Sequence, residues 1–235
     1  MEVPSRLRQF HIVGCSPRGL ELLDGSDKLR RVLGEYARAE RPEMVVPPGV
    51  RLLATGKFGF AFRMGSFILK VTSPTSSIRP ENRTPRPPED LTEQFRVMGA
   101  LAEHLGQGRE GVIAPQHFFV AHTPHNTYVL CQRFMTGWRT LEHATVETFP
   151  DPEAPGLKRV AKEIVTTIRS RVERALQGYA FRDQIDDLGR DPTGPLHGTN
   201  LLIPVGVALT PDVPLCIIDQ PGHPDRESVK RRTST

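Results

Sequence analysis

The chain has 235 residues, of which 37% are hydrophobic and 25% charged, as in ordinary globular domains. Its net charge is +4, from 31 basic and 27 acidic residues, and 6% of residues are aromatic, which argues against a nucleic-acid binder. No apolar run reaches the roughly 20 residues that span a bilayer, and the three cysteines form no CxxC pair, which argues against a transmembrane helix and a zinc or redox site.

The first half of the chain predicts a small sheet preceded by an N-terminal extension. Residues 1–49 form the extension, and within it 27–40 places apolar side chains on one helical face. Residues 50–71 predict two strand-like halves joined by a glycine-containing turn at Gly65. The proline-rich segment 72–90 predicts an irregular, mobile loop.

The second half predicts two main helices and four strands. In chain order they are a helix at 91–105, strands at 116–122 and 127–134, a long amphipathic helix at 157–176, strands at 200–205 and 214–219, and a polar, flexible tail at 223–235. The chain is therefore mostly sheet before Phe134 and mostly helix after it. This order predicts an α+β fold in two parts.

A glycine-rich segment and a lysine lie in the predicted sheet. The string Gly56-Lys57-Phe58-Gly59 is followed by a strand that contains Lys70. Together they resemble the glycine-rich loop and strand lysine of the protein-kinase-like superfamily, although Ala54 stands where the first loop glycine would fall. Glycines let backbone amides approach phosphate oxygens, and the lysine adds a positive charge. The resemblance implies that four residues bind ATP: Gly56, Lys57, Gly59 and Lys70.

Later segments follow in the order of the same family. The strand ending at Phe134 resembles the family's fifth strand, which leads into a hinge where backbone groups from Gln132 to Phe134 would face an adenine. Asn200 opens one strand of the last predicted hairpin and Asp219 closes its partner, the positions at which the family holds Mg²⁺. The resemblance implies a two-lobed kinase-like fold, with an N-lobe at 50–134 and a reduced, mainly helical C-lobe at 135–222.

The sequence departs from the family at the partner of the strand lysine. Kinases pair that lysine with a helical glutamate, and the matching position here is Gln94. Glu93 and Glu103 are the two alternatives. Each is also compatible with an ordinary exposed position on a helix.

A second departure concerns the catalytic base. Residues 195–200 resemble the Asp-Leu-His-Pro-Gly-Asn string of small-molecule kinases, but Pro195 replaces the aspartate and cannot accept a proton. His197 could act as the base, because lipid kinases of the superfamily carry a histidine at this offset. Asp191 is the nearest upstream acid, with Asp187 and Asp183 further away. In a third reading nothing replaces the base.

The resemblance implies an atypical phosphotransferase that uses ATP and Mg²⁺, binds them between its two lobes, and acts on a protein side chain or, next, on a small molecule. The alternative is a pseudokinase, a nucleotide-binding module without turnover. No activation segment follows Gly222, so we expect a minimal domain of the kind seen in some bacterial effector kinases. The lack of a secretion signal predicts a cytoplasmic protein, or one delivered into a host cytoplasm if it is an effector.

Overall fold

The computed structural model describes residues 10–39, 45–56, 59–72, 88–106, 108–123, 128–149, 155–180 and 201–218. The chain divides into two compact units, one of Met1–Gly99 with Gln116–Thr136 and the other of Ala100–Pro115 with Gly137–Thr235. The fold is mixed α+β, as the order of elements predicted. The domain boundaries after residues 49, 134 and 222 stay predictions.

The described elements alternate between strands and helices. In chain order they are β1 (His11–Cys15), α1 (Pro17–Gly25), α2 (Asp27–Arg38), β2 (Arg51–Gly56), β3 (Gly59–Met64), β4 (Phe67–Thr72), α3 (Pro88–His104), a 3₁₀ turn (Arg109–Gly111), β5 (Val112–Ile113), β6 (His117–His122), β7 (Tyr128–Arg133), β8 (Trp138–Thr140), α4 (Leu141–Thr148), α5 (Pro155–Ala175), β9 (Leu201–Pro204) and β10 (Leu215–Ile217).

The predicted helices and strands are confirmed within a few residues, whereas β1, α1, β5 and β8 were not predicted. The helices at 27–40, 91–105 and 157–176 correspond to α2, α3 and α5, because their apolar residues recur at helical spacing. Residues 50–71 form three strands rather than two, since a second hairpin closes between Gly56 and Gly59. Most of the loop predicted at 72–90 and the tail at 223–235 lie outside the described residues.

The first unit is built on a six-stranded antiparallel sheet in the order β1-β6-β7-β4-β3-β2. One face of this sheet packs against α1 and α2. Buried side chains on that face include Phe62, Leu69, Phe119, Val129 and Cys131, and those from the helices include Leu23, Leu29, Leu33 and Tyr36. Residues 10–39, predicted as part of the extension, thus supply a strand and two covering helices.

Serine caps position these two helices at the sheet. The hydroxyl of Ser16 accepts a hydrogen bond from the Gly19 amide at 3.1 Å, and that of Ser26 accepts one from the Leu29 amide at 3.2 Å. Such caps satisfy amides in the first turn that have no partner within the helix. The polar residues before each apolar run therefore determine where α1 and α2 begin.

Helix α3 packs on the opposite face, near β1, β6 and β7. Phe95 joins an apolar cluster with Val120, Tyr128 and Leu130. The close approach depends on Gly14 in β1, where an added Cβ would lie 2.9 Å from Cδ1 of Phe95. The helix leaves the β2–β3 end of this face accessible, where Ala54 is exposed and Ala61 half-buried.

The second unit contains a four-stranded sheet in the order β5-β10-β9-β8, with α4 and α5. Strands β9 and β10 form the predicted terminal hairpin and are antiparallel, whereas β5 runs parallel to β10. Arg171 of α5 is buried and donates hydrogen bonds to carbonyls of the 3₁₀ turn and of the β9–β10 loop. None of the described helices is long and apolar enough to cross a membrane.

Candidate functional site

The predicted glycine-rich segment is a β-hairpin at the edge of the six-stranded sheet. Gly56 at the end of β2 pairs with Gly59 at the start of β3. Without a Cβ, glycine leaves the backbone open to close approach by another group. Lys57 lies outside the described residues, and contact of all three residues with a phosphate stays a prediction.

Lys70 lies on β4, the third strand counted from the one that enters the glycine hairpin. Its direct neighbours are Ala61 on β3 and Leu130 on β7, and its side chain is half-buried. Because directly opposite residues share one face of a sheet, the pairings define the Lys70 face. Across β2, β3, β4 and β7 this face carries Arg51, Ala54, Ala61, Arg63, Ile68, Lys70, Leu130 and Gln132.

On the β2–β3 side of Lys70, the neighbouring side chains of this face are small and apolar. Ala54 and Ala61 have the smallest side chains with a Cβ, and Ala61 separates Lys70 from the edge strand. Helix α3 covers the Leu130 side through Phe95. The lysine therefore stands between a covered and an open part of the sheet, an arrangement suited to a ligand that lies flat over β2 and β3.

Two backbone amides of the predicted hinge segment donate hydrogen bonds to other residues of the first unit. The Arg133 amide donates to the Gln116 carbonyl and the Phe134 amide to the Ser66 carbonyl, each at 2.8 Å. The Phe134 carbonyl in turn accepts from the Thr136 amide at 3.1 Å. A base at this segment would therefore have to bond to other backbone groups, of which Met135 supplies the next amide. Adenine contact by Gln132 and Phe134 stays a prediction.

Gln132 itself is unusual because its side-chain amide is buried. The residue is 1% exposed, and neither atom of the amide has a hydrogen-bond partner within the described part of the chain. It lies opposite Ile68 on β4 and His117 on β6. A buried amide without a partner costs stability, so a hydrogen-bonding group that the described residues do not supply would stabilise this position.

The candidate glutamates for Lys70 differ in their surroundings. Glu93 forms a two-bond ion pair with Arg96, with Oε2 at 2.8 Å from Nε and Oε1 at 2.5 Å from Nη2. Glu103 is exposed on α3. The side chain of Gln94 lies outside the described residues. The glutamate that pairs with Lys70 stays a prediction.

Four predicted catalytic and metal residues lie outside the described residues: Asp191, His197, Asn200 and Asp219. The strands beside the last two are described. β9 begins at Leu201, directly after Asn200, and β10 ends at Ile217, two residues before Asp219, and Leu201 pairs with Ile217. Within the described residues, no three His, Cys, Asp or Glu side chains are grouped to hold a metal ion.

A thiol on β7 faces away from the candidate site. Cys131 lies between Leu130 and Gln132 in the chain, so it points to the α1–α2 side of the sheet, where it is fully buried. Burial, and then the nearby Cys15, raise the pKa of the Cys131 thiol well above its ordinary value. It is therefore protonated at neutral pH and is not a nucleophile.

Two arginines on the Lys70 face were missed in the sequence. Arg51 lies directly opposite Arg63, and Arg63 lies opposite Ile68. Period-two alternation from Lys70 along β4 and back along β3 could have placed Arg63 on this face. The hairpin register that places Arg51 there depends on a bulge between Leu52 and Ala54, which no sequence pattern reveals.

Comparison with known proteins gives little help with assignment. No protein-family model and no curated protein matches the chain by sequence. Among solved structures it is similar to WaaP in complex with acyl carrier protein, at 13% identity and a TM-score of 0.43, over 89% of this chain and 70% of that chain. A similarity at this level is too weak to indicate the fold or the activity of this chain. A proposal about its function therefore has to be based on the geometry of the Lys70 face.

Proposed function

We propose that this chain is an ATP- and Mg²⁺-dependent phosphotransferase of the protein-kinase-like type, with two lobes and a protein side chain as first-choice acceptor. The observation that carries the proposal is the position of Lys70. It is half-buried on the accessible part of a sheet face, on the strand that follows the glycine hairpin. A lysine on the strand that follows a glycine hairpin is a combination that binds phosphate groups in the protein-kinase-like family.

The strand pairing of the terminal hairpin is consistent with the proposed pair of metal ligands. Because Leu201 and Ile217 are opposite each other, the chain enters β9 and leaves β10 at the same end of the hairpin. Asn200 and Asp219 are the proposed ligands of Mg²⁺, which prefers oxygen donors such as carboxylates. Mg²⁺ would neutralise charge on the transferred phosphoryl group.

The identity of the base separates this proposal from the pseudokinase alternative, which is favoured by Pro195 at the position of the usual aspartate. We propose His197 as the base, with Asp191 as the second candidate. Phosphoryl transfer depends mainly on positioning and charge stabilisation, so a weak base is compatible with activity. A positioned base adds about 10²–10⁴-fold to turnover.

The proposal is tested with Lys70→Met and the matched control Lys162→Met, which makes the same substitution at an exposed position on α5. ATP at 100 times its Kd should stabilise the wild type by about 2.7 kcal/mol, and Lys70→Met should lose most of that stabilisation. Phosphoryl transfer from radiolabelled ATP, with autophosphorylation and hydrolysis both measured, should fall by about 10²-fold or more in Lys70→Met. Lys162→Met should match the wild type.

Two results would contradict the proposal. Equal ATP-induced stabilisation of the wild type and Lys70→Met would remove Lys70 from the site. ATP binding without transfer above the Lys70→Met background would leave the pseudokinase alternative. The base is tested in the same assay, because His197→Ala should reduce turnover while leaving ATP affinity unchanged.

A further inference from the structure

The six-stranded sheet carries an unusual distribution of charge. Its strands contain four Lys or Arg residues and no Asp or Glu, whereas the whole chain has 31 basic and 27 acidic residues. Three of the four cations, Arg51, Arg63 and Lys70, are on the Lys70 face. Arg133 is opposite Phe67 and is on the other face. The Lys70 face is therefore positive along its accessible part.

The two arginines are placed where their charges repel. Arg51 and Arg63 are directly opposite each other on β2 and β3. Like charges in this arrangement destabilise a sheet. In the described part of the chain neither guanidinium forms an ion pair with a carboxylate. An anionic ligand would remove this repulsion.

Arg63 is held in place before any ligand binds. Its Nε donates a hydrogen bond to the Gly65 carbonyl at 3.1 Å, and its guanidinium carbon lies 4.2 Å from the centre of the Phe134 ring. Stacking on an aromatic ring and a backbone hydrogen bond together restrict a side chain that is otherwise mobile. The Nη atoms of Arg63 make no hydrogen bond within the described residues, so they can donate to a ligand.

We propose that Arg51 and Arg63 form, together with Lys70, a binding site for a polyphosphate group. Arg63 and Lys70 are diagonal neighbours, a separation of roughly 7–8 Å that long side chains can close. Arg63 supplies a fixed planar fork for phosphate oxygens, and Arg51 and Lys70 supply charge on either side. Where ATP is the ligand, as the proposed function requires, these arginines are two further phosphate-binding residues.

Inorganic tripolyphosphate tests the site without a base or sugar. Isothermal titration calorimetry at low and moderate salt would compare the wild type with Arg51→Gln, Arg63→Gln and the double variant. Each single change should weaken binding by about tenfold, because a charge-assisted hydrogen bond contributes about 1.5–3 kcal/mol, partly screened at the surface. Arg133→Gln, the same substitution on the same sheet but the opposite face, should stay within about twofold of the wild type.

Further variants separate binding from folding. Arg51→Gln removes one repelling charge and should leave the urea midpoint unchanged or raise it, whereas Arg63→Gln also loses the contacts with Gly65 and Phe134 and should lower it slightly. A weakened site in fully folded Arg51→Gln therefore cannot be attributed to unfolding. Arg63→Lys keeps the charge but loses the fork and should bind with intermediate affinity. If Arg63→Gln fails to fold, the exposed Arg51→Gln carries the test alone.

The outcomes for the site and for the proposed function are distinct. An equal loss of tripolyphosphate affinity in Arg133→Gln, or no binding by the wild type, would overturn the site. Lys70-dependent ATP binding that is unchanged in the double arginine variant would also overturn it, while leaving the phosphotransferase proposal intact. Tripolyphosphate binding through all three residues without any Lys70-dependent effect of ATP would support the site and reject the phosphotransferase.

Discussion

At the residue scale, Gly19 allows α1 to lie against the sheet. A Cβ at this position would be 2.0 Å from the carbonyl oxygen of Phe118 and 2.7 Å from its carbon. These are backbone atoms of β6 that cannot rotate away. The same carbonyl accepts hydrogen bonds from the Ser16 amide at 2.8 Å and the Ser16 hydroxyl at 3.1 Å. The start of α1 is thus bonded to the strand that Gly19 touches.

We therefore expect Gly19→Ala to lower the free energy of unfolding by about 3 kcal/mol or more, because the helix must move away from β6. Gly25→Ala in the same helix is the matched control, since nothing lies within 4 Å of its added Cβ. It should change stability by less than about 1 kcal/mol. Urea denaturation followed by circular dichroism measures both. A Gly19→Ala midpoint equal to that of the wild type would show that α1 does not pack as described.

At the scale of elements, Arg171 connects α5 to two loops of the second unit. It is 5% exposed, and its Nε and Nη2 donate to the Glu110 carbonyl at 3.2 and 2.5 Å. Its Nη1 donates to the Val213 carbonyl at 3.0 Å and also to the Pro211 carbonyl. One guanidinium therefore satisfies carbonyls in the 3₁₀ turn and in the loop between β9 and β10.

Replacing this side chain should destabilise the hairpin that carries the proposed metal ligands. Arg171→Met leaves the carbonyls without a donor and should cost about 2–4 kcal/mol. Arg174→Met, one turn away, removes only an ion pair to Glu110 whose arginine is 54% exposed, and should cost less than about 1 kcal/mol. Hydrogen exchange of the β9 and β10 amides should accelerate in Arg171→Met alone. Equal exchange in both variants would contradict this role.

At the scale of the whole molecule, buried tyrosine and cysteine side chains in the two units should make the protein less stable at alkaline pH. Burial, and then Glu35, raise the pKa of Tyr36 well above its ordinary value of 10.0. Burial also raises the pKa of Cys131 and takes that of Cys216 from 9.0 to about 12. In each case the folded state holds its proton more tightly than the unfolded chain. Their contribution to stability is therefore complete below the unfolded pKa and lost as pH rises.

The urea midpoint should accordingly stay constant from pH 7 to 8 and fall steadily above pH 9.0, the ordinary thiol pKa. Tyr36→Phe should reduce the fall above pH 10.0. At pH 7 this variant should be as stable as the wild type or more stable by up to about 2 kcal/mol, because the Tyr36 hydroxyl is buried without a hydrogen-bond partner among the described residues. A midpoint that is constant up to pH 11 would disprove the linkage.

The sequence predicted the elements in which a periodic pattern of apolar residues extends over a long continuous segment. Helix α2 was found because Leu29, Val32, Leu33 and Tyr36 recur at helical spacing, and all four are buried. β1 and α1 were missed because His11–Cys15 is only five residues long and α1 contains two glycines. Their formation depends on partners far along the chain, such as β6, which pairs with β1.

For the candidate site, the sequence alone determined which residues are chemically competent: the glycines of the hairpin, Lys70, and the proposed metal ligands. Only the tertiary structure decided that Arg51 shares a face with Lys70 and that Cys131 does not. It also decided that the amides of Arg133 and Phe134 are used within the first unit. The physical reason is that residue type and periodicity are properties of a short segment. The face of a sheet to which a side chain belongs is set by strand register, and register depends on hydrogen bonds and bulges between distant segments.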